Sequence, residues 1–322
     1  MTDAALRSVN TAPPILARRG GVFGALSDAL WRRPRFLIFM LLTPPLLWLG
    51  IVYIGSLLAL LLQSFFSIDE FSGMISRKFT LKSYGELLLS TNIDIFVRTI
   101  IMSAAVTIAS AIVAFPIAYY AARYAYGRSK AIFYLGVMMP LWSSYLVKVY
   151  AWKLILAKEG ILTWIFSKLH LTWLLDAWLA LPVVGGNSLS ISFTGTFIVF
   201  VYVWLPFMIL PIQASLERVP RNLIEASSDL GASPSQTFWN VLYPLCLPGI
   251  IAGSIFTFSL TMGDYIIPQI IGNSQYFIGQ AVYSLQGSAG NIPLAAAFTV
   301  VPIIVMVFYL WMAKRMGAFD AL

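Results

Sequence analysis

Two carboxylates stand four residues apart in a short polar stretch of an otherwise apolar chain. Glu225 and Asp229 belong to EASSDLGASPSQTFWNVLYP, residues 225–244, which separates two long hydrophobic segments. Side chains four residues apart lie on one face of a helix, so the spacing predicts an acidic helical surface. This surface either pairs with a partner or stays solvated while the helix packs on its own chain, and the pattern leaves both interpretations open.

The residues around these acids predict two short helices joined by a sharp corner. Pro220 suits the first position of the first helix, and Gly231 suits the left-handed residue that ends it. Ser233 and Gln236 have the spacing of a capping box that starts the second helix. The first helix has one apolar face, formed by Leu223, Ala226, Ser227 and Leu230. Because isolated helices below about 12–15 residues are marginal in water, we expect this helix to dock on another surface.

A further carboxylate, Asp264, lies inside the apolar run SLTMGDYIIPQIIGN, in the outer half of a predicted membrane span. An ionised side chain inside a membrane helix costs about 2.5–3.5 kcal/mol on insertion scales, so it should face a cavity or a partner. One interpretation is a counter-ion for a cationic substrate. The other is an internal ion pair with Lys148 or Arg98, which we predict at the same level, and the sequence leaves both open.

Aromatic residues are concentrated near the level of Asp264, namely Trp142, Tyr145, Tyr150, Trp152 and Tyr265. Aromatic faces hold ammonium groups by cation–π contact, although an interfacial aromatic belt also accounts for most of these residues. The predicted substrate pathway consists of Asp264, Tyr265, Trp142, Tyr145, Lys148 and Tyr150.

The remaining reactive residues are too few for catalysis or metal binding. One cysteine, Cys246, excludes an internal disulfide, and with a single histidine, His170, it argues against a zinc site. The chain has no Gly-Lys pair and therefore no G-x-x-x-x-G-K-[ST] phosphate-binding loop. We predict a protein without catalytic residues, metal or cofactor, rather than an enzyme. If ATP drives its function, the ATPase is another polypeptide.

The composition predicts an all-α polytopic membrane protein. Of the 322 residues, 59% are hydrophobic and 11% are charged, against about 25% charged residues in soluble domains. A hydrocarbon core of about 30 Å needs about 20 helical residues, and six segments meet that length: 36–66, 96–121, 131–157, 193–216, 245–271 and 292–313. A weaker seventh candidate, 160–184, is interrupted by charges and is predicted to form short helices, interfacial or partly inserted.

The basic residues predict that both termini are cytoplasmic. The cytoplasmic segments of this topology hold Arg7, Arg18, Arg19, Arg32, Arg33, Arg35, Arg123, Arg128, Lys130, Arg218, Arg221, Lys314 and Arg315. The outer loops hold Arg77, Lys78, Lys82, Lys158 and Lys168. This asymmetry follows the positive-inside rule for six spans, so the net charge of +8 indicates topology and not nucleic-acid binding.

The predicted organisation has four parts. A basic cytoplasmic tail covers residues 1–35, a six-helix transmembrane domain covers 36–316, and a short tail covers 317–322. The fourth part is a cytoplasmic loop, 217–244, which lies within the transmembrane domain and contains the two acids.

The stretch 225–244 resembles the EAA loop of ABC-importer membrane subunits. The residues that keep the spacing of that motif are Glu225, Ala226, Ser227, Gly231, Val241, Tyr243 and Pro244, with serine and tyrosine as departures. In that family the loop is a coupling helix that inserts into a groove of the partner ATPase, where its glutamate pairs with a basic residue. The residues to which the resemblance gives an ATPase-coupling role are Glu225, Ala226, Asp229 and Gly231.

Three further segments resemble, in order and position, permeases for spermidine and putrescine, of the first-permease type. They are MPLWSSYLVKVYAWKLIL, EGILTWIFSKLHL and GDYIIPQIIGNSQYFIGQAVY, and the resemblance covers most of the chain from about residue 36. It implies a six-span type I ABC importer (MetI-like) transmembrane domain in the bacterial inner membrane that imports polyamines. The implied partners are a second permease in a heterodimer, a homodimeric ATPase, an extracytoplasmic substrate-binding protein and the lipid bilayer.

Other functions remain open from the residues alone. The same permease role could serve an opine, another amine, or a thiamine-like or metal-complex substrate. An ion-driven secondary transporter would need several membrane-embedded acids or histidines, and Asp264 is nearly alone in the spans. A membrane enzyme would need catalytic groups that these spans lack.

Overall fold

The structure is a computed structural model that describes residues 34–69 and 72–315. Most of the predicted basic tail, 1–35, and all of the predicted C-terminal tail, 317–322, lie outside the described residues. The chain forms two compact units, residues 1–60 and 61–322.

One helical segment makes up the described part of the first unit. It begins as α1 (Pro34–Leu47), continues through a π-helical stretch (Trp48–Ile54) and enters α2 (Gly55–Gln63), whose last three residues belong to the second unit. The apolar portion, Leu37–Gln63, has 27 residues. At 1.5 Å per residue this is about 40 Å of helix, enough to cross a membrane.

The second unit is helical apart from one short hairpin among its described residues. Its elements are, in chain order, β1 (Ser67–Ile68), β2 (Ile75–Ser76), α3 (Lys82–Leu87), α4 (Ser90–Arg123), α5 (Gly127–Trp142), α6 (Tyr145–Ile155), α7 (Ile161–Lys168), α8 (Thr172–Leu179), a 3₁₀ turn (Leu189–Ile191), α9 (Phe193–Arg218), α10 (Arg221–Asp229), α11 (Pro234–Thr237), a π-helical turn (Phe238–Leu242), α12 (Tyr243–Gly263), α13 (Ile266–Ile270), α14 (Ile278–Gln286) and α15 (Ile292–Arg315). Within residues 34–69 and 72–315, the antiparallel pair β1–β2, with Ser67 opposite Ser76, is the one departure from the all-α prediction.

The prediction of six spans is confirmed, with one of them bent. Among the described residues, five helical segments are long and apolar enough to cross a membrane, and α5 with α6 makes a sixth if counted as one bent span. The predicted straight span 131–157 is wrong in shape, because α5 and α6 meet at 95°. The break falls at Ser143 and Ser144, just after Pro140 in the last turn of α5.

The predicted fifth span, 245–271, also ends too late. Its helix begins at Pro234, widens into the π-helical turn and stops at Gly263. Pro244 offers no N–H to the helical ladder, and the Tyr243 N–H pairs with the Phe238 carbonyl five residues earlier. Residues 160–184 form the short helices α7 and α8, as predicted.

Three long helices, α4, α9 and α12, form the centre of the second unit. Met102 of α4 packs with Phe200 of α9 and Ile267 of α13 in one buried cluster. Ala118 of α4 packs with Ile212 of α9 in a second buried cluster. These clusters lie one after the other along the helices and hold α4 and α9 side by side.

A close crossing joins α9 to α12. A Cβ built on Gly249 would lie 2.5 Å from the Pro211 carbonyl oxygen and would also collide with the Ser215 hydroxyl. Small residues let membrane helices approach this closely, and the gain is van der Waals packing rather than hydrophobic burial. Gly249 therefore sets the distance between the two helices.

Replacing Gly249 by valine is expected to push α9 and α12 apart and to destabilise the purified protein. Overpacking a tight contact typically costs about 1–3 kcal/mol, so the thermal unfolding midpoint in detergent should fall. Gly136→Val is the matched control, because a Cβ at the exposed position 136 of α5 meets nothing within 4 Å. Equal midpoints for the two variants would contradict the proposed importance of this crossing.

Candidate functional site

The predicted corner in the 217–244 loop is present. The first helix of the corner, α10, ends before Gly231, which has a φ of 78°, a value that glycine adopts without steric penalty. Ser233 and Gln236 form the predicted capping box, with the Ser233 N–H donating to Gln236 Oε1 at 2.7 Å. Pro220 differs from its prediction, because it precedes α10 in an extended conformation instead of occupying its first turn.

The apolar face predicted for α10 is divided between the protein and solvent. Ile224 packs against the buried cluster around Leu216, and the Ser227 hydroxyl lies 2.9 Å from the Thr237 hydroxyl. Leu223 is 43% exposed and Leu230 is 88% exposed. The helix is therefore anchored on one side, while part of its apolar face remains uncovered.

The four residues predicted to couple to an ATPase lie along the uncovered side of this corner. Glu225, Ala226, Asp229 and Gly231 are all exposed. None of the hydrogen bonds and salt bridges found among the described residues involves either carboxylate. The arrangement offers two negative charges, a small side chain and an exposed leucine to a partner surface.

Two arginines, one on α4 and one on α10, tie this corner to the neighbouring segments. Arg123 Nη2 donates to the Val219 carbonyl at 3.0 Å. The Arg221 guanidinium donates to the Tyr126 hydroxyl and lies over the same ring.

The carboxylate of Asp264 lies at the break between α12 and α13 and not inside a continuous span. Its Oδ1 accepts the backbone N–H groups of Ile266 at 2.7 Å and Ile267 at 3.1 Å, which begin α13. The Tyr145 hydroxyl donates to its Oδ2. Asp264 thus caps a short helix while one oxygen faces Tyr145 of α6.

Neither of the two basic residues considered as ion-pair partners contacts Asp264. Lys148 Nζ donates to the Pro140 carbonyl at 2.7 Å, across the bend between α5 and α6. Arg98 pairs with Asp94, one turn earlier on α4, and donates to the Tyr276 carbonyl at 3.1 Å. The ion-pair interpretation of Asp264 is therefore not supported for either partner.

A cavity of about 350 Å³ opens beside Asp264, and we call it the Asp264 cavity. The residues that line it are Tyr145, Trp204, Ser259, Leu260, Gly263, Asp264, Tyr265 and Ile266. The rings of Tyr145 and Trp204 are stacked, with centroids 5.9 Å apart and planes at 21°. The Trp204 Nε1 is buried and has no hydrogen-bond partner among the described residues.

The predicted pathway residues separate into two groups. Asp264, Tyr265 and Tyr145 line the cavity together. Trp142 and Tyr150 are 75% and 54% exposed and do not line it, and the Lys148 side chain is turned toward Pro140. No sequence pattern marks Trp204, which stands among apolar residues of α9 and reaches the cavity only through the packing of α9 against α6.

This arrangement suits recognition of an organic cation. A carboxylate and stacked aromatic faces attract ammonium groups, and no basic side chain lines the cavity. Among the described residues no group of histidines, cysteines or carboxylates could hold a metal ion.

Comparison with known proteins identifies the family. Residues 161–318 match the family described as "Binding-protein-dependent transport system inner membrane component". The chain is 56% identical to the inner membrane ABC transporter permease protein YdcU of Escherichia coli (strain K12), over 93% of this chain and 96% of that protein. It is 29% identical to the spermidine/putrescine transport system permease protein PotB of the same organism, over 84% of this chain and 94% of PotB.

The fold comparison agrees with the family. A chain from the crystal structure of a bacterial alginate ABC transporter, in complex with an alginate pentasaccharide-bound periplasmic protein, superimposes with a TM-score of 0.60. The match covers 91% of this chain and 96% of that chain, at 15% identity. The family match and the 56% identity to YdcU exclude an ion-driven carrier and a membrane enzyme. The chain belongs to the binding-protein-dependent transport system inner membrane components, as an inner-membrane ABC permease subunit.

Proposed function

We propose that this permease subunit imports polyamines, linear organic cations of the putrescine and spermidine type. The observation that carries the proposal is the Asp264 cavity, where a carboxylate without a basic partner among the described residues faces stacked aromatic rings. The name of the relative PotB, a spermidine/putrescine permease, supports the same substrate class. A cation gains from the charge and from the ring faces, whereas an anion would be repelled.

Asp264 has room for a substrate cation in addition to its structural contacts. A carboxylate accepts at about four lone-pair positions, and Asp264 receives three donors, from Ile266, Ile267 and Tyr145. An ammonium group entering the cavity would complete the set at Oδ2. The half-buried side chains of Trp204 and Tyr145 would lower the local dielectric and strengthen this attraction.

The subunit is proposed to work within a larger assembly. A homodimeric ATPase, a second permease forming a heterodimer and an extracytoplasmic substrate-binding protein are the partners that this family membership suggests. The chain itself has no phosphate-binding loop, which supports a separate ATPase. The periplasmic protein in the alginate transporter complex is a parallel for the binding protein.

The corner at α10 is proposed to be the contact with the ATPase, on the cytoplasmic side. Its exposed acids, Glu225 and Asp229, would pair with basic residues lining a groove, and exposed Leu230 would fill an apolar pocket there. ATP-driven closure of the two ATPase subunits would move the corner. Because α11 and α12 form one helical segment from this corner to Gly263, the movement would reach the Asp264 cavity and alternate its access between the two sides.

Glu225→Ala is expected to reduce ATP-dependent putrescine uptake by roughly tenfold or more in proteoliposomes containing the whole transporter. The physical reason is the loss of a charge pair in the docked interface. Asn222→Ala is the matched control, because it shortens another exposed polar side chain of the same helix. Membrane insertion and protein yield should stay unchanged, and normal coupled uptake by Glu225→Ala would refute the coupling role.

Replacing Asp264 by asparagine is expected to separate cation recognition from helix capping. The amide oxygen of asparagine caps helices about as well as aspartate, so the stability of the variant should be close to that of the wild type. Without the negative charge, uptake of radiolabelled putrescine should fall by roughly tenfold to a hundredfold, or about 1.4–2.8 kcal/mol.

Two further variants calibrate this experiment. Asp264→Ala removes both charge and cap, so it should lose stability, by about 1 kcal/mol, as well as uptake. Asp176→Asn removes an exposed acid of α8 and serves as the control for charge alone. Wild-type uptake by Asp264→Asn would show that the carboxylate is only a structural cap.

A further inference from the structure

A second polar cavity lies beside α14, and we call it the α14 cavity. Its volume is about 440 Å³, and its polar lining residues are Gln269, Tyr276, Gln280, Tyr283, Ser284 and Ser288. No charged side chain lines it. Amide, hydroxyl and phenol oxygens accept hydrogen bonds, so the cavity can solvate an ammonium group without binding it by a full charge.

Two tyrosines connect the α14 cavity to the Asp264 cavity. Tyr265 lines the Asp264 cavity, Tyr283 lines the α14 cavity, and both tyrosines line a third cavity of about 350 Å³. Their rings are stacked, with centroids 4.9 Å apart and planes at 10°. Tyr265 is 37% exposed and Tyr283 is 53% exposed, so the edges and outer faces of the pair are accessible.

Gly279 holds the two cavities at a fixed separation. A Cβ at this position would lie 2.7 Å from the carbonyl oxygen of Asp264 and 2.9 Å from that of Gly263. The first turn of α14 therefore rests directly on the backbone that carries the Asp264 carboxylate. Gln280 is tied in place as well, since its side chain accepts the Phe277 N–H at 3.1 Å.

The guanidinium of Arg98 contacts the backbone of Tyr276, which lines the α14 cavity, but it does not oppose a cation there. Arg98 donates to the backbone carbonyl of Tyr276, but its guanidinium is paired with Asp94. The series of groups is thus one carboxylate, a pair of aromatic rings and a set of neutral acceptors. A molecule with an ammonium group at each end and methylene groups between them matches that order.

We infer that the α14 cavity is a second recognition subsite, which takes the distal ammonium of a linear diamine or polyamine whose first ammonium is held at Asp264. The methylene chain lies along the stacked rings of Tyr265 and Tyr283. This inference rests on the proposed function and adds to it a basis for preferring diamines over monoamines of the same length.

The test compares two amines on the complete transporter, reconstituted in lipid nanodiscs without the binding protein. Radiolabelled putrescine is displaced by unlabelled putrescine or by n-butylamine, which has the same four-carbon chain and one ammonium group. The wild type is expected to prefer putrescine by at least tenfold. The double variant Tyr283→Leu, Ser284→Ala should bind putrescine roughly tenfold more weakly, because it loses a ring face and hydroxyl acceptors. Its affinity for n-butylamine should change by less than about twofold.

Two controls keep the result specific. Tyr283→Phe retains the ring and removes only the hydroxyl, so its preference for putrescine should be intermediate. Tyr120→Leu removes an exposed tyrosine of α4 that is stacked on Tyr124, the residue after that helix, and should retain the wild-type preference.

The possible outcomes separate this inference from the proposed function. If both amines bind and the double variant keeps the wild-type preference, the second subsite is wrong while the polyamine proposal stands. If the wild type binds neither amine, the subsite falls together with the proposed substrate class. Equal loss of putrescine and n-butylamine in the double variant would also overturn the subsite, because a structural defect predicts it.

Discussion

Asp264 satisfies two backbone N–H groups at a place where a membrane helix has stopped. The groups belong to Ile266 and Ile267, and in a hydrocarbon environment no water replaces a missing partner. Because the cap is a carboxylate, the break also introduces a negative charge beside α6 and α9. The Asp264 cavity, the position of Tyr265 and the contact with Gly279 all follow from the chain turning at this residue.

The opposite end of the same helical segment meets a different constraint. There the chain must leave one helix and begin another in water, and a left-handed glycine followed by a capping box solves this locally. The 30-residue segment from Pro234 to Gly263 joins the two ends, at about 45 Å of helix. The close crossing at Gly249 fixes α12 against α9. A displacement of the corner would therefore move α12 together with α9.

Features with local causes could be predicted from the sequence, and features made by packing could not. The apolar runs predicted six spans, and glycine, serine and glutamine predicted the corner at 231–236. The 95° bend was missed because Pro140 alone does not distinguish a kink from a continuous span. The apolar residues that follow Asp264 likewise predict a fifth span that continues past it, whereas the helix stops at Gly263. Trp204 and Tyr283 join the cavities only through contacts between distant segments, so no local pattern marks them.

The bend between α5 and α6 and the break between α12 and α13 together determine which groups contact the Asp264 carboxylate. The bend after Pro140 leaves carbonyl groups of the last turn of α5 without helical partners, and Lys148 Nζ binds the one at residue 140. The same bend turns α6 so that Tyr145 reaches Asp264. An internal lysine is thereby held by a carbonyl while a neutral phenol takes the position beside the carboxylate. A buried carboxylate with only neutral donors gains more from an arriving cation than one already paired with lysine. The bend in α5–α6 therefore leaves Asp264 without a cationic partner among the described residues, which is the condition that the proposed role in cation recognition requires.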